Sequence, residues 1–178
     1  MPTYIALLRG INVSGQKKIK MADLQKLLAS AGLQQVKTYI QSGNIIFSYA
    51  ADAPKAEKMI EQQIEKHYGF AVKTIVRTPE ELRQILEQNP FADEDVKLQY
   101  FVLLAEVPAD DAVEKLKTFD YRPEAYVLKG KTVYFFVPNG YGKAKMNNNF
   151  FEQKLKVAAT TRNWKTISKL LEMSEASH

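Results

Sequence analysis

The first 77 residues alternate between short hydrophobic runs, typical of strands, and hydrophobic residues at helical spacing. The helical stretches stop at Gly32 and Gly69, since glycine commonly ends a helix. The order strand, helix, strand, strand, helix, strand is the ferredoxin-like, or α/β plait, pattern. The predicted strands are residues 3–9, 36–40, 45–49 and 71–76, and the predicted helices are residues 23–31 and 56–67.

A similar order begins again in the second half, after a linking helix that starts with Thr78 as its cap and Pro79 at its first position. No fourth strand is predicted here, and Trp164, Ile167 and Leu171 instead indicate a terminal helix. We therefore predict an α+β fold of two ferredoxin-like subdomains, 1–77 and 78–178, related by duplication. The extra C-terminal helix is expected to pack near the first subdomain. In this half the predicted strands are residues 98–107, 125–128 and 133–137, and the predicted helices are residues 108–119 and 148–156.

Composition excludes several kinds of chemistry. The chain has no cysteine, so disulfides, cysteine–zinc sites and thiol catalysis are excluded. Its two histidines, His67 and His178, are too far apart in sequence for ligand spacing, which argues against a histidine metal site or catalytic triad. No metal or cofactor is predicted. The first residues lack the basic and long apolar segments of a signal peptide, and no run approaches the ~18 apolar residues of a membrane helix. A cytoplasmic protein without a membrane partner is expected.

The net charge of +5 is unevenly distributed. Residues 80–124 contain twelve acidic and five basic side chains, whereas residues 143–169 contain seven basic side chains and one acidic. A further basic group lies between residues 9 and 20. Such asymmetry can steer anions toward the basic surfaces, although ordinary solvated surface would look the same.

Two polar loops in the first half contain candidate binding residues. Residues 9–18 follow a strand and carry glycines, an arginine and two lysines, which suits a phosphate site. Their spacing matches neither the P-loop nor the dinucleotide fingerprint, so a long connector with glycine turns is the alternative. Residues 41–44 have the composition of a tight hairpin turn, which accounts for Gly43 and Asn44 but less well for Gln41 and Ser42.

Two more candidate loops lie in the second half. Residues 138–149 lead to a helix and place Tyr141 between two glycines, where an exposed ring could stack on a base or sugar. Residues 158–164 are predicted to open the last helix, with Thr161 or Asn163 as its cap. An arginine at a positive helix end is unfavourable unless it meets an anion, so Arg162 is a candidate anchor. Pairing of Arg162 with a carboxylate such as Glu152 is the structural alternative.

Four sequence blocks carry a family resemblance: residues 6–13, 20–24, 38–44 and 158–164. Together they resemble a bacterial domain of unknown function, family number 1697, and the resemblance runs from residue 3 to about residue 172. It implies two α/β plait subdomains. It implies no activity, because none is assigned to that family.

These observations favour a protein that binds an anionic ligand, either a nucleotide, a nucleic acid or a phosphorylated metabolite, in a basic cleft where the four loops converge. An enzyme acting on a phosphorylated or carboxylated small molecule is one alternative, although it lacks an identifiable catalytic base. A protein-interaction module that uses the acidic middle of the chain is another. The sequence leaves the oligomeric state open. The candidate ligand-binding residues are Arg9, Asn12, Lys18, Gln41, Ser42, Asn44, Tyr141, Lys145 and Arg162.

Overall fold

A computed structural model of the chain describes residues 1–176, so His178 lies outside the described part. The chain divides into two compact units. Residues 1–84 and 169–176 form the first unit, and Ile85–Ser168 form the second. Within residues 1–176, no helix combines the length and apolar character required to cross a membrane.

The first unit is a four-stranded antiparallel sheet with helices on one face. Its strand order, β2-β3-β1-β4, is that of the split βαβ fold and confirms the predicted ferredoxin-like topology. Asp52 caps the second helix by accepting a hydrogen bond from the Lys55 amide (3.0 Å), and Gly69 ends it in the left-handed conformation. The elements are β1 (Thr3–Leu8), α1 (Met21–Ser30), β2 (Gln34–Tyr39), β3 (Asn44–Ser48), α2 (Ala53–Tyr68), β4 (Thr74–Arg77) and the start of α3 (Pro79–Glu87).

The second unit repeats this topology. Its sheet has the order β6-β7-β5-β8, and every neighbouring pair is antiparallel. Short 3₁₀ turns at Val96–Leu98 and Tyr141–Lys143 precede β5 and α5. The elements are β5 (Gln99–Leu104), α4 (Asp110–Leu116), β6 (Ala125–Lys129), β7 (Thr132–Phe136), α5 (Asn148–Leu155), β8 (Ala159–Asn163) and the start of α6 (Trp164–Glu175).

The prediction that the second half lacks a fourth strand is wrong. Ala159–Asn163 forms β8 and pairs with β5 along its whole length. Arg162 therefore lies in a strand opposite Phe101, and not at a helix N-terminus. The strand was missed because its sequence, Ala-Thr-Thr-Arg-Asn, has almost no hydrophobic alternation.

The two units match residue by residue around their last strands. Arg77 pairs with Ile5 in the first sheet, and Arg162 pairs with Phe101 in the second. Each arginine is followed by a helix cap: Thr78 forms a reciprocal capping box with Glu81, and Asn163 accepts from the Thr166 amide (2.8 Å). The repeat thus contains seven elements, and α3 and α6 are equivalent helices.

Both faces of the first sheet are buried. Tyr4, Ala6 and Leu8 join the core beneath the helices, together with side chains of β3 and β4. Because side chains alternate along a strand, Ile5 and Leu7 lie on the opposite face, and they are buried as well. RNA-recognition modules stack bases on aromatic side chains of this second face. Here that face is closed, because both its aliphatic side chains and polar ones such as Arg77 are buried, so the unit does not present such a platform.

Candidate anion-binding loops

The loop between β1 and α1, residues 9–20, is folded back on itself. The Asn12 amide donates to the Lys17 carbonyl (3.1 Å), and the Gln16 amide donates to the Val13 carbonyl (3.0 Å). Ile11 and Ile19 are buried at its two ends, while residues 13–18 are exposed. The loop is therefore a small hairpin-like projection with apolar anchors at both ends.

Asn12 joins this loop to the turn between β2 and β3. Its Nδ2 donates to the carbonyl oxygens of Ile19 (3.0 Å) and Gln41 (2.8 Å). Its Oδ1 accepts from the Ile19 amide at 2.8 Å. Both donor hydrogens and the acceptor of the side-chain amide are thus engaged, which assigns Asn12 a positioning role in these loops.

The turn itself packs closely against the first loop. Gly43 has φ +91°, and a Cβ there would lie 2.7 Å from Ile11 Cδ1 and 2.8 Å from Leu8 Cβ. Its carbonyl accepts from the Leu8 amide at 2.8 Å. Asn44 is fully buried and donates to the Tyr39 carbonyl and to Ser42 Oγ, each at 2.9 Å. Glycine is required at position 43 because Leu8 and Ile11 approach it closely and because the turn needs a positive φ there.

Four cations lie on the loop: Arg9, Lys17, Lys18 and Lys20. Residues 9–20 contain no aspartate or glutamate. Arg9 is half-buried, and its amide donates to the Lys73 carbonyl (2.9 Å). Lys17 Nζ reaches the Ala71 carbonyl (2.9 Å), whereas Lys18 is exposed. The helix α1 begins directly after Lys20, so its positive end adds to this field, and the exposed carboxylate of Asp23 in its first turn offsets part of it.

In the second unit, Tyr141 is half-buried and is not a free stacking platform. Its ring packs 4.7 Å from the Tyr100 ring and against Phe135, measured between centroids. Its hydroxyl oxygen accepts from the Asn148 amide at 2.9 Å. The expectation of an exposed ring is therefore wrong, because the core of this unit uses both the ring and the hydroxyl.

The rest of that loop is tied to its surroundings through one carboxylate. Glu124 accepts from the amides of Lys145 (2.8 Å) and Met146 (2.9 Å), and the Lys145 side chain is exposed. Asn147 caps α5 by accepting a hydrogen bond from the Phe150 amide. The loop is thus held by backbone contacts, which leave the lysine head group at the surface.

Asn148 links this loop to β8. Its Nδ2 donates to the Ala159 carbonyl (3.1 Å), and its Oδ1 accepts from the Thr161 hydroxyl (2.8 Å). Thr161 is therefore a partner of Asn148 and not a helix cap. Neither Asn148 nor Glu124 was singled out as a contact of these loops, since both partners are distant in sequence.

Arg162 is buried in the second sheet. Its Nη1 donates to Thr160 Oγ1 (2.7 Å) and to the Thr161 carbonyl (3.0 Å). Burial lowers its pKa to about 10. Glu152, its suggested partner, accepts from the Ala159 amide at 2.8 Å. A side chain placed in this way is a poor candidate for gripping a ligand at the surface.

The structure thus brings the candidate residues together in two groups, one in each unit. Asn12 connects the first loop to the turn, and Tyr141, Asn148 and Thr161 form the second group. Convergence of all four loops on one cleft stays a prediction. Within residues 1–176, no group of three or more histidine, aspartate or glutamate side chains is arranged to hold a metal ion. The members of the first group are Arg9, Asn12, Lys18, Gln41, Ser42 and Asn44.

The fold and loops define a duplicated α/β plait protein with one strongly basic loop end. The chain belongs to the family described as "Protein of unknown function (DUF1697)", whose model matches residues 1–134. This finding confirms the family resemblance. Among solved structures, a conserved bacterial protein from Streptococcus pneumoniae is similar, with 26% sequence identity and a TM-score of 0.78. The match covers 97% of this chain and 98% of that one, which supports the α+β fold throughout. No curated protein matches the chain.

Proposed function

We propose that this protein binds an anionic ligand at the end of the first unit formed by residues 9–20 and the β2–β3 turn. The hydrogen bonds of Asn12 to both segments carry the proposal, because they fix a cationic loop and a polar turn in one arrangement. A preorganised site loses less conformational entropy on binding than a mobile loop does.

The chemistry of the loop end suits phosphate or carboxylate. Arg9 and Lys18 supply positive charge, and Gln41 and Ser42 supply neutral hydrogen-bonding groups on the adjacent turn. Positions 9–20 contain no acidic residue, so the loop carries a net positive charge. A nucleotide, a phosphorylated metabolite and a nucleic-acid backbone share this chemistry. Arg162 is left out of the proposed site because it is buried in a sheet.

Binding measurements on charge-loss variants test the proposal. Isothermal titration with inorganic phosphate, a nucleotide and a short single strand at low salt should show binding to at least one. Lys18→Ala should weaken it at least tenfold, since a charge-assisted contact contributes roughly 1.5–3 kcal/mol. Lys58→Ala is the matched control, because it removes the same charge from an exposed position on α2.

Salt dependence then separates the ligand classes. A nucleic-acid backbone releases many counterions, so its affinity should fall steeply with salt, whereas a single small anion gives a shallow slope. Absence of binding to all three probes at low salt would contradict the proposal. Equal losses in Lys18→Ala and Lys58→Ala would show a diffuse charge effect and would also contradict a site at this loop end.

A further inference from the structure

We propose that the same loop end is also the docking surface for the β5–α4 loop of a second copy of this chain. The inference goes beyond anion binding, because the occupant is a protein surface with apolar as well as acidic side chains. It follows from two exposed aliphatic residues, one strained backbone position and the opposite charges of two duplicated loops.

The first observation is apolar exposure at the basic loop end. Val13 is 59% exposed and Ile40 is 48% exposed. They lie on the two segments that Asn12 joins, since Val13 follows Asn12 and Ile40 precedes Gln41. Val13 thus shares its loop with Lys17 and Lys18, and Ile40 lies on the turn that Asn12 joins to that loop. The core of the unit includes neither aliphatic side chain.

The second observation is the backbone conformation of Ile40. Its φ is +51°, and within residues 1–176 no other β-branched residue has a positive φ. This conformation is costly for a β-branched residue, and glycine or asparagine would adopt it more readily. Folding alone therefore does not explain an exposed isoleucine here, whereas contact with a partner does.

The third observation is a complementary loop in the second unit. Residue 105 is the duplicate of residue 9, because the Ala105 amide donates to the Ala158 carbonyl as the Arg9 amide donates to that of Lys73. The loop that follows Ala105 is acidic where its duplicate is basic. Its exposed acid is Glu106, and the exposed Asp110 and Asp111 follow directly in the first turn of α4. It also carries an exposed aliphatic residue, Val107, at 67%.

These features favour a second copy over a nucleic acid. Single strands are bound by aromatic side chains on which bases stack, and the exposed apolar residues at this loop end are aliphatic. Val13 and Val107 are both exposed within one chain, so each can be contacted by a second copy of the chain. Contact between two different ends is heterologous and propagates from copy to copy. Its small size predicts weak association that salt disrupts.

A charge-reversal experiment on the full chain tests this inference. Sedimentation equilibrium at low salt should show concentration-dependent association of the native chain. One variant, Lys17→Glu with Lys18→Glu and Lys20→Glu, gives both loops a net negative charge, and another, Glu106→Lys with Asp110→Lys, gives both a net positive charge. Each variant alone should be monomeric, and their equimolar mixture should associate, because opposite loops face each other again.

A second variant separates the apolar contact from charge. Ile40→Asn should weaken association at least threefold and raise the Tm, because asparagine tolerates a positive φ. Val96→Asn is the control, since Val96 is 41% exposed outside both loops, and it should leave association unchanged.

Three results would overturn the inference. One is a native chain that stays monomeric at millimolar concentration and low salt. Another is that each charge-reversal variant associates on its own as strongly as in the mixture. Binding of a single strand that Ile40→Asn abolishes, by a chain that stays monomeric, would assign the surface to nucleic acid instead. Phosphate binding by a monomeric chain would leave the proposed function intact while removing this one.

Discussion

Gly43 and Tyr134 show how much of each unit depends on single side chains that meet a distant part of the chain. Gly43 lies against Leu8 and Ile11, more than thirty residues earlier. Tyr134 donates its hydroxyl hydrogen to the Ile85 carbonyl at 2.8 Å, within the second unit. Each contact leads to a prediction about the stability of a variant at that residue.

Gly43→Ala should be strongly destabilising. An alanine at φ +91° costs about 1 kcal/mol in backbone energy, and the collision with Leu8 Cβ adds ~1–3 kcal/mol, since that atom cannot swing away. Gly69→Ala is the control, because its φ is +82° and no atom lies within 4 Å of the added Cβ. Urea denaturation of both variants should show the larger loss at Gly43. Equal losses would mean that packing of the turn is loose.

Tyr134→Phe should change the alkaline stability of the protein. Burial raises the pKa of Tyr134 to about 12, above its value near 10 in the unfolded chain. An acid with a raised pKa in the folded state stabilises the fold below pH 10 and loses that contribution as pH rises from 10 to 12. The advantage of tyrosine over phenylalanine in unfolding free energy should fall by ~1.4 kcal/mol per pH unit above pH 10. A difference that stays constant between pH 8 and pH 11 would contradict this.

At the scale of elements, the loops and turns depend on contacts that local sequence does not record. Asn12→Ala leaves the Ile19 amide and the carbonyls of Ile19 and Gln41 without their partner, at a cost of about 1–3 kcal/mol. Amide hydrogen exchange at Ile19 should accelerate, and anion binding should weaken with it. Ser14→Ala, at an exposed position with φ +52°, is the control and should change stability by less than ~0.5 kcal/mol. Unchanged exchange at Ile19 would show that the Asn12 hydrogen bonds do not hold this loop and the turn in place.

The strands show which patterns the sequence can reveal. β1 and β5 are apolar runs, and hydrophobic periodicity predicted them because apolar side chains on both faces are buried. β8 has three buried residues among its five, but two of these are Thr160 and Arg162, which form a hydrogen bond with each other. A periodicity argument counts such residues as surface. The available signal was the duplication, because β4 also ends in an arginine before a helix cap.

The candidate site was predictable in part for a related reason. Glycines, cations and turn residues mark the loops at residues 9–20 and 41–44 from sequence alone. The role of Asn12 and the close packing of Gly43 depend on contacts across about thirty residues, which composition does not show. Tyr141 was misjudged because its neighbouring glycines suggest exposure, whereas Tyr100 and Phe135 enclose its ring.

At the scale of the molecule, the chain repeats a plait followed by a helix. The first repeat ends with α3 and the second with α6, and residues 169–176 belong to the first unit. Arg83 on α3 pairs with Glu175 on α6 within that unit. The two helices that follow the plaits therefore meet, so α6 should contribute to the stability of the first unit although it begins in the second.

Two substitutions one turn apart on α6 test that expectation. Ile167 and Leu170 are both fully buried and lie three residues apart, but Ile167 belongs to the second unit and Leu170 to the first. Each change to alanine should cost ~2–5 kcal/mol through lost burial and the cavity left behind. Native-state hydrogen exchange should show which sheet each variant destabilises. Leu170→Ala should accelerate exchange mainly in β1–β4, and Ile167→Ala mainly in β5–β8. The comparison is internally matched, because both variants remove aliphatic carbon from the same helix. Indistinguishable exchange patterns would show that the units open together as one cooperative structure, and would contradict a division of α6 between them.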